Sequence, residues 1–159
     1  MNYFLLGQSE LFAGIERKEL ETLMDCLKPV RKTYEKGEYI CRAGEPLKFM
    51  GFVLCGSVNI ERNDVWGNQS LLGRVEAGEV FGETYACVPG EVLMVDVAAV
   101  EACEILFLDM GKLLKICSSA CGFHNRLIQN LVGVMAAKNL NLSRKINDTA
   151  PKSIRGRLL

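Results

Sequence analysis

The feature that most constrains the fold is a run of short strand-like segments, separated by glycine-containing turns, over residues 31–108. Residues 49–54 are continuously apolar, residues 57–61 alternate, and residues 63–68 read as the loop of a hairpin. Many short strands spaced by turns are typical of a β-sandwich or barrel. The sequence therefore predicts a mainly β fold with flanking helices, and about eight strands favour a jelly roll, also called a double-stranded β-helix.

Helical patterns lie on both sides of this strand series. Ser9 is the expected N-cap of a helix over residues 9–27, in which leucines recur at helical spacing and which Pro29 ends. After the strands, a short helix is expected over residues 110–116 and a longer one over residues 123–147. The order helix, strands, long helix places one β domain before an extended C-terminal helix.

The long helix carries two apolar stripes. The first is a heptad seam with spacings of four and three, and its members are Ile128, Val132, Met135, Asn139, Leu142 and Ile146. A polar residue such as Asn139 at a seam position fixes the register of paired helices. The adjoining stripe consists of Leu127, Leu131 and Val134. One helix packed on its own domain needs one stripe, so two stripes favour a homodimer through the seam.

Composition excludes several classes of partner. The chain has 159 residues, with 19 Lys and Arg residues balanced by 19 Asp and Glu residues. That length suits one domain, and the balanced charge predicts that these residues alone bind DNA weakly or not at all. No apolar run approaches the roughly 20 residues of a membrane span, and the N-terminus lacks the basic region of a signal peptide. We therefore expect a cytoplasmic protein that does not contact membranes.

Seven cysteines and a single histidine, His124, limit redox and metal chemistry. Without a secretion signal, cysteines are expected to stay reduced and to pack as small apolar residues. Cys117 and Cys121 are the one pair spaced to lie on adjacent helical turns, which makes them the candidates for redox chemistry. No Cys-x-x-Cys pair is present, so the sequence predicts neither a metal site nor a cofactor.

Residues 78–84 form the candidate ligand motif, Gly-Glu-Val-Phe-Gly-Glu-Thr. Its glycines permit tight turns and close approach of the backbone to a ligand. Phe81 is expected to anchor the segment in the core. Glu83 and Thr84 present oxygens beside backbone N–H groups, an arrangement that suits a small polar or anionic ligand.

The chain resembles, over nearly its whole length, the sensor domain of the cyclic-AMP receptor protein and Fnr (Crp/Fnr) family of bacterial transcription regulators. The resemblance rests on the order and spacing of six blocks, at residues 11–15, 34–40, 43–46, 51–58, 78–83 and 99–106. In that family a β-roll precedes a dimerisation helix and a winged helix-turn-helix that binds DNA.

The resemblance implies three regions. Residues 1–122 are expected to form the effector-sensing β-roll with its N-terminal helix, and residues 123–147 the dimerisation helix. Residues 148–159 look like a hinge and the first turns of the DNA-binding domain, the remainder of which is expected to be absent from this chain.

The phosphate clamp of the nucleotide-binding members is the decisive departure. Those members hold the cyclic phosphate with an arginine followed by a serine or threonine, and Leu93 and Met94 stand at these positions here. A phosphate diester needs a fixed positive partner to offset its desolvation. We therefore expect a repurposed pocket for an unknown small effector other than cyclic AMP, whose candidate residues are Phe81, Gly82, Glu83, Thr84, Leu93 and Met94. The alternative is a vestigial pocket filled by its own side chains.

These expectations describe a non-enzymatic module that binds an effector, dimerises and alters DNA binding by a C-terminal domain. Iron–sulfur sensing of the Fnr type is not expected, since it requires cysteines before the β domain and residues 1–25 contain none. One alternative is a stand-alone cupin-like enzyme or ligand-binding protein, but cupins use histidine-rich metal sites and His124 is the single histidine. Another is a regulator without DNA-binding activity that acts by heterodimerisation.

Overall fold

The computed structural model describes residues 3–88, 90–109, 111–112 and 122–149. Within these residues, four helices and eight strands follow in the order α1 (Tyr3–Gln8), α2 (Arg17–Leu27), β1 (Val30–Tyr34), β2 (Tyr39–Cys41), β3 (Phe49–Cys55), β4 (Ser57–Asn63), β5 (Gln69–Glu76), β6 (Val80–Phe81), α3 (Glu83–Cys87), β7 (Asp96–Ala99), β8 (Cys103–Asp109) and α4 (Gly122–Thr149). The expected mainly β fold with flanking helices is confirmed.

Two four-stranded antiparallel sheets form the β-roll. One has the strand order β1-β8-β3-β6 and the other β2-β7-β4-β5. Strand β3 is buried along its five central residues, because its alternate side chains enter two different cores. Val53 packs between the sheets, whereas Phe52 meets Phe12 edge to face at 5.6 Å under the helices. This double burial explains why residues 49–54 are apolar without alternation.

The N-terminal segment differs from the single helix expected over residues 9–27. Ser9 ends α1 rather than capping the next helix, since its hydroxyl donates to the Leu6 carbonyl at 2.7 Å and accepts the Phe12 amide at 3.3 Å. Gly14 has a φ of +78°, which interrupts helical geometry. Helix α2 therefore begins at Arg17 and ends at Leu27, just before Pro29 as expected.

Helix α4 is held against the body by its inner face. Leu127 and Leu131 are buried in the core beneath α1 and α2. The Asn130 amide donates to the carbonyls of Leu11 at 2.9 Å and Ala13 at 2.8 Å, and the Arg126 guanidinium donates to the Gly14 carbonyl. These contacts fix which face of α4 points inward, and so which face remains outside.

Several expectations fall on residues that the structure does not describe. Most of the short helix expected over residues 110–116, and the hinge region from residue 150 onward, lie outside the described residues. Cys117, Cys121 and the His124 side chain lie outside them as well.

Candidate effector site

The candidate ligand motif forms the turn from β6 into α3. Phe81 is buried over β3, and a Cβ at Gly51 would overlap its ring, so a glycine is required where the two strands meet. Gly82 begins α3 with a φ of +75°, a left-handed conformation that favours glycine. This geometry turns the chain sharply and directs Glu83 away from the interior of the roll, toward α4.

Glu83 is joined to α4 by an ion pair. Its residue is only 5% exposed, and its Oε1 lies 2.7 Å from the Nζ of Lys138. The same ammonium donates to the Val80 carbonyl at 2.6 Å. A groove of about 460 Å³ along α4 reaches Lys138, which explains why the lysine side chain is 42% exposed while its partner is buried. The candidate ligand motif is therefore linked directly to the long helix.

Lys138 was missed by the sequence analysis, although the pattern contains a signal for it. The inner stripe of α4 runs through Leu127, Leu131 and Val134 at spacings of four and three, and the next position in that series is residue 138. A lysine at a position that faces the body needs a partner there. Glu83 is that partner.

A separate cavity of about 230 Å³ opens between the two sheets. Its lining comes from β1, β2, β3, β8 and two connecting segments, and consists of Val30, Lys32, Tyr34, Ile40, Cys41, Glu45, Pro46, Leu47, Phe49, Leu93 and Phe107. Leu93 is one of its innermost residues, at 3% exposure.

The structure divides the predicted ligand residues into two groups. Leu93 lines the cavity, whereas Glu83 pairs with α4. Phe81 and Gly82 position the turn, and the side chains of Thr84 and Met94 are exposed. The predicted set therefore does not converge on one cavity in this conformation.

The Cys41 thiol and the Tyr34 hydroxyl, which line the cavity, are held in their neutral forms. Burial, together with the nearby Glu45 carboxylate, raises the pKa of the Cys41 thiol to about 11. Burial is also the main reason why the pKa of the Tyr34 hydroxyl is raised. Cys41 and Cys103 are buried, as expected, but Cys26 and Cys55 are exposed. Within the described residues, no group of three or more His, Cys, Asp or Glu side chains is arranged to hold a metal ion.

The outer face of α4 carries the predicted heptad seam. Val132, Asn139, Leu142 and Ile146 are exposed, while Ile128 and Met135 are half-buried. The inner stripe packs on the domain, and Met135 packs against the same core, so the seam faces outward only at its exposed members.

Comparison with known proteins agrees with this architecture. The family described as "Cyclic nucleotide-binding domain" matches residues 31–120. The chain belongs to this family. A search of curated proteins gives no match.

Solved structures show the same fold at low sequence identity. The sensor domain of the transcriptional regulator DNR from Pseudomonas aeruginosa is 19% identical, with a TM-score of 0.64 over 91% of this chain and 88% of that one. The catabolite activator protein of Thermus thermophilus is 22% identical, with a TM-score of 0.71 over 87% of this chain and 62% of that one. A cyclic nucleotide-binding domain from Methylobacillus flagellatus is 16% identical, with a TM-score of 0.73 over 94% of this chain and 80% of that one.

These structures confirm that the chain shares the fold of sensor domains from Crp/Fnr-type regulators. In the part of the chain that the structure describes, no helix combines the length and apolar character needed to cross a bilayer.

Proposed function

We propose that this chain is the effector-sensing and dimerising module of a Crp/Fnr-type transcription regulator and has no catalytic activity of its own. A small molecule bound in the β-roll would change how α4 is held. Paired α4 helices would then set the spacing of the DNA-binding domains that follow in regulators of this kind. The observation that carries the proposal is the ion pair between Glu83 and Lys138.

The ion pair supports coupling because its two ends belong to the two parts that must communicate. Glu83 lies in the candidate ligand motif, and Lys138 lies on the helix that carries the seam. An effector that displaced the turn at Gly82, which lies against the cavity residue Leu47, would lengthen this ion pair and leave the ammonium with the Val80 carbonyl as its remaining partner. The effector would thereby favour a second arrangement of α4 through differential contacts, which any ligand-driven switch requires.

The effector is not a cyclic nucleotide in this proposal. Leu93 replaces the clamp arginine and is part of the apolar cluster between the sheets. Lys138 supplies a positive charge near the motif, but that charge is already balanced by Glu83 at 2.7 Å. A phosphate diester would have to displace a buried carboxylate in order to use it.

Amide hydrogen exchange in α4 tests the coupling. Glu83→Gln changes only the ligand motif, yet we expect it to raise the exchange rates of α4 amides around Lys138. Lys138→Met should do the same. Lys36→Met is the matched control, because it removes one exposed lysine charge from the turn between β1 and β2. Unchanged α4 exchange in Glu83→Gln would remove the mechanical basis of the proposal.

Dimerisation is proposed to occur through the seam. Paired helices would bury Val132, Leu142 and Ile146, which are exposed in the single chain. Sedimentation should show that Val132→Glu with Leu142→Glu, both at exposed seam positions, is monomeric at tens of micromolar, where the unmodified chain is dimeric. The control is Gln129→Glu with Ala136→Glu, which adds the same two charges at exposed positions one residue off the seam. A monomeric unmodified chain would contradict this part of the proposal, as would a dimer in the seam variant.

A further inference from the structure

The cavity between β1, β2 and β8 extends from the interior of the β-roll to its surface. At its inner end Leu93, Phe107 and Cys41 are buried. At its outer end Val30 and Phe49 are exposed although both are large and apolar. A molecule can therefore enter from solvent and bury an apolar body.

The polar groups of this cavity differ in their charge and in whether they already have a hydrogen-bond partner. Glu45 is engaged, since its Oε1 accepts the Arg42 amide at 3.0 Å. Cys41 is held neutral by its raised pKa, and so is Tyr34. Lys32 is the basic side chain of the lining.

Lys32 has no carboxylate within ion-pair distance among the described residues. Its ammonium lies over the face of the Phe107 ring, with Nζ 5.9 Å from the ring centroid. The Tyr34 hydroxyl likewise has no hydrogen-bond partner in the part of the chain that the structure describes. A cation and a neutral hydroxyl donor thus line one cavity, and the carboxylate of the lining, Glu45, already accepts a hydrogen bond from the Arg42 amide.

We propose that this cavity binds a small monocarboxylic acid with a compact apolar body, such as one aromatic ring. The ring would pack against Leu93 and Phe107, and the carboxylate would accept hydrogen bonds from Lys32 and Tyr34. The size agrees, because a cavity of about 150 Å³ holds benzene and this one measures about 230 Å³. This inference names the effector class and so rests on the proposed sensing function.

Titration with phenylacetate, followed by amide chemical shifts, tests the assignment. Phenylacetate should bind saturably and shift the amides of Ile40 and Leu93. Phenylacetamide has the same shape without the charge and should bind about tenfold more weakly. Phenethylamine has a positive group and should not bind.

Lys32→Met should weaken phenylacetate binding about tenfold, because it removes the charge and retains an apolar stem. Lys36→Met is the control, with the same loss of charge on a side chain that does not line the cavity, and it should leave binding unchanged. Both lysines are exposed, so both variants should fold.

Any one of four results would overturn the inference: equal binding of the acid and the amide, saturable binding of phenethylamine, unchanged phenylacetate binding in Lys32→Met, or no saturable binding of phenylacetate. This test and the test of the proposed function can fail independently. If phenylacetate binds but Glu83→Gln does not change amide exchange in α4, only the proposed coupling is wrong. If Glu83→Gln changes amide exchange in α4 but phenylacetate does not bind, only the assigned effector class is wrong.

Discussion

The ion pair between Glu83 and Lys138 gives the most informative stability prediction. Removing one partner of a fully buried pair costs about 3–5 kcal/mol, whereas an exposed pair contributes about 0–1 kcal/mol. Glu83 is 5% exposed but the Lys138 side chain is 42% exposed, so the cost lies between these limits. We expect Lys138→Met to lower the free energy of unfolding by about 2 kcal/mol.

Glu83→Gln should be milder, at about 1 kcal/mol, because the amide oxygen still accepts a hydrogen bond from Lys138. In the Lys138→Met variant the Glu83 carboxylate is a buried charge without its lysine partner, and adding Glu83→Gln removes that charge. The double variant should therefore lose about 2 kcal/mol rather than the sum of the single effects, which corresponds to a coupling energy of about 1 kcal/mol.

Urea unfolding at one fixed protein concentration measures all four members of this cycle. The slope of the free energy against urea should stay constant across the cycle. Lys36→Met should change stability by less than about 0.5 kcal/mol, as exposed substitutions usually do. The reasoning is refuted if Lys138→Met is as mild as Lys36→Met, or if the single effects add within about 0.3 kcal/mol.

Three further predictions follow from individual contacts. Gly51→Ala should lower the free energy of unfolding by about 1–3 kcal/mol, because its Cβ overlaps the Phe81 ring. Adding Phe81→Leu to the Gly51→Ala variant should recover part of this loss in thermal unfolding. If nothing is recovered, the overlap is not the cause. Thiol titration near pH 8 should modify exposed Cys55 rapidly and Cys41 only on unfolding, since burial raises the Cys41 pKa to about 11. Equal modification rates of Cys41 and Cys55 in the folded protein would contradict the burial of Cys41. Backbone and side-chain hydrogen bonds in the β4–β5 turn hold the pKa of Asp64 below its ordinary value, so the turn should be stable above that value and open as pH falls through the folded one. Protection factors of the Trp66 and Asn68 amides that stay constant between about pH 6 and pH 2 would contradict this.

The sequence predicted the β-roll because its strands and turns are locally encoded. The hairpin over residues 63–68 needs a turn at its tip, and Asp64 provides it by accepting the Trp66 and Asn68 amides. The two stripes of α4 were also predictable, since burial of Leu127 and Leu131 follows from helical periodicity alone.

What the sequence did not predict depends on contacts between distant segments. Ser9 has the chemistry of an N-cap, but the packing of Leu11 and Phe12 turns the chain before a helix can continue. The pairing of Glu83 with Lys138 joins residues that are far apart in the chain. The cavity at Lys32 and Leu93 exists only once β1 and the segment before β7 face each other.

Calorimetry with cyclic AMP and cyclic GMP tests the central claim most directly, which is that a cyclic nucleotide-binding domain senses something other than a cyclic nucleotide. Two missing charge-assisted contacts, each contributing about 1.5–3 kcal/mol, would weaken a micromolar site to beyond about millimolar affinity. The unmodified chain should therefore give no saturable heat with either nucleotide, and Leu93→Arg with Met94→Ser should move it toward binding. Saturable binding of cyclic AMP at about micromolar affinity by the unmodified chain would contradict the claim. It would show that Lys138, or another cation, takes the place of the missing arginine.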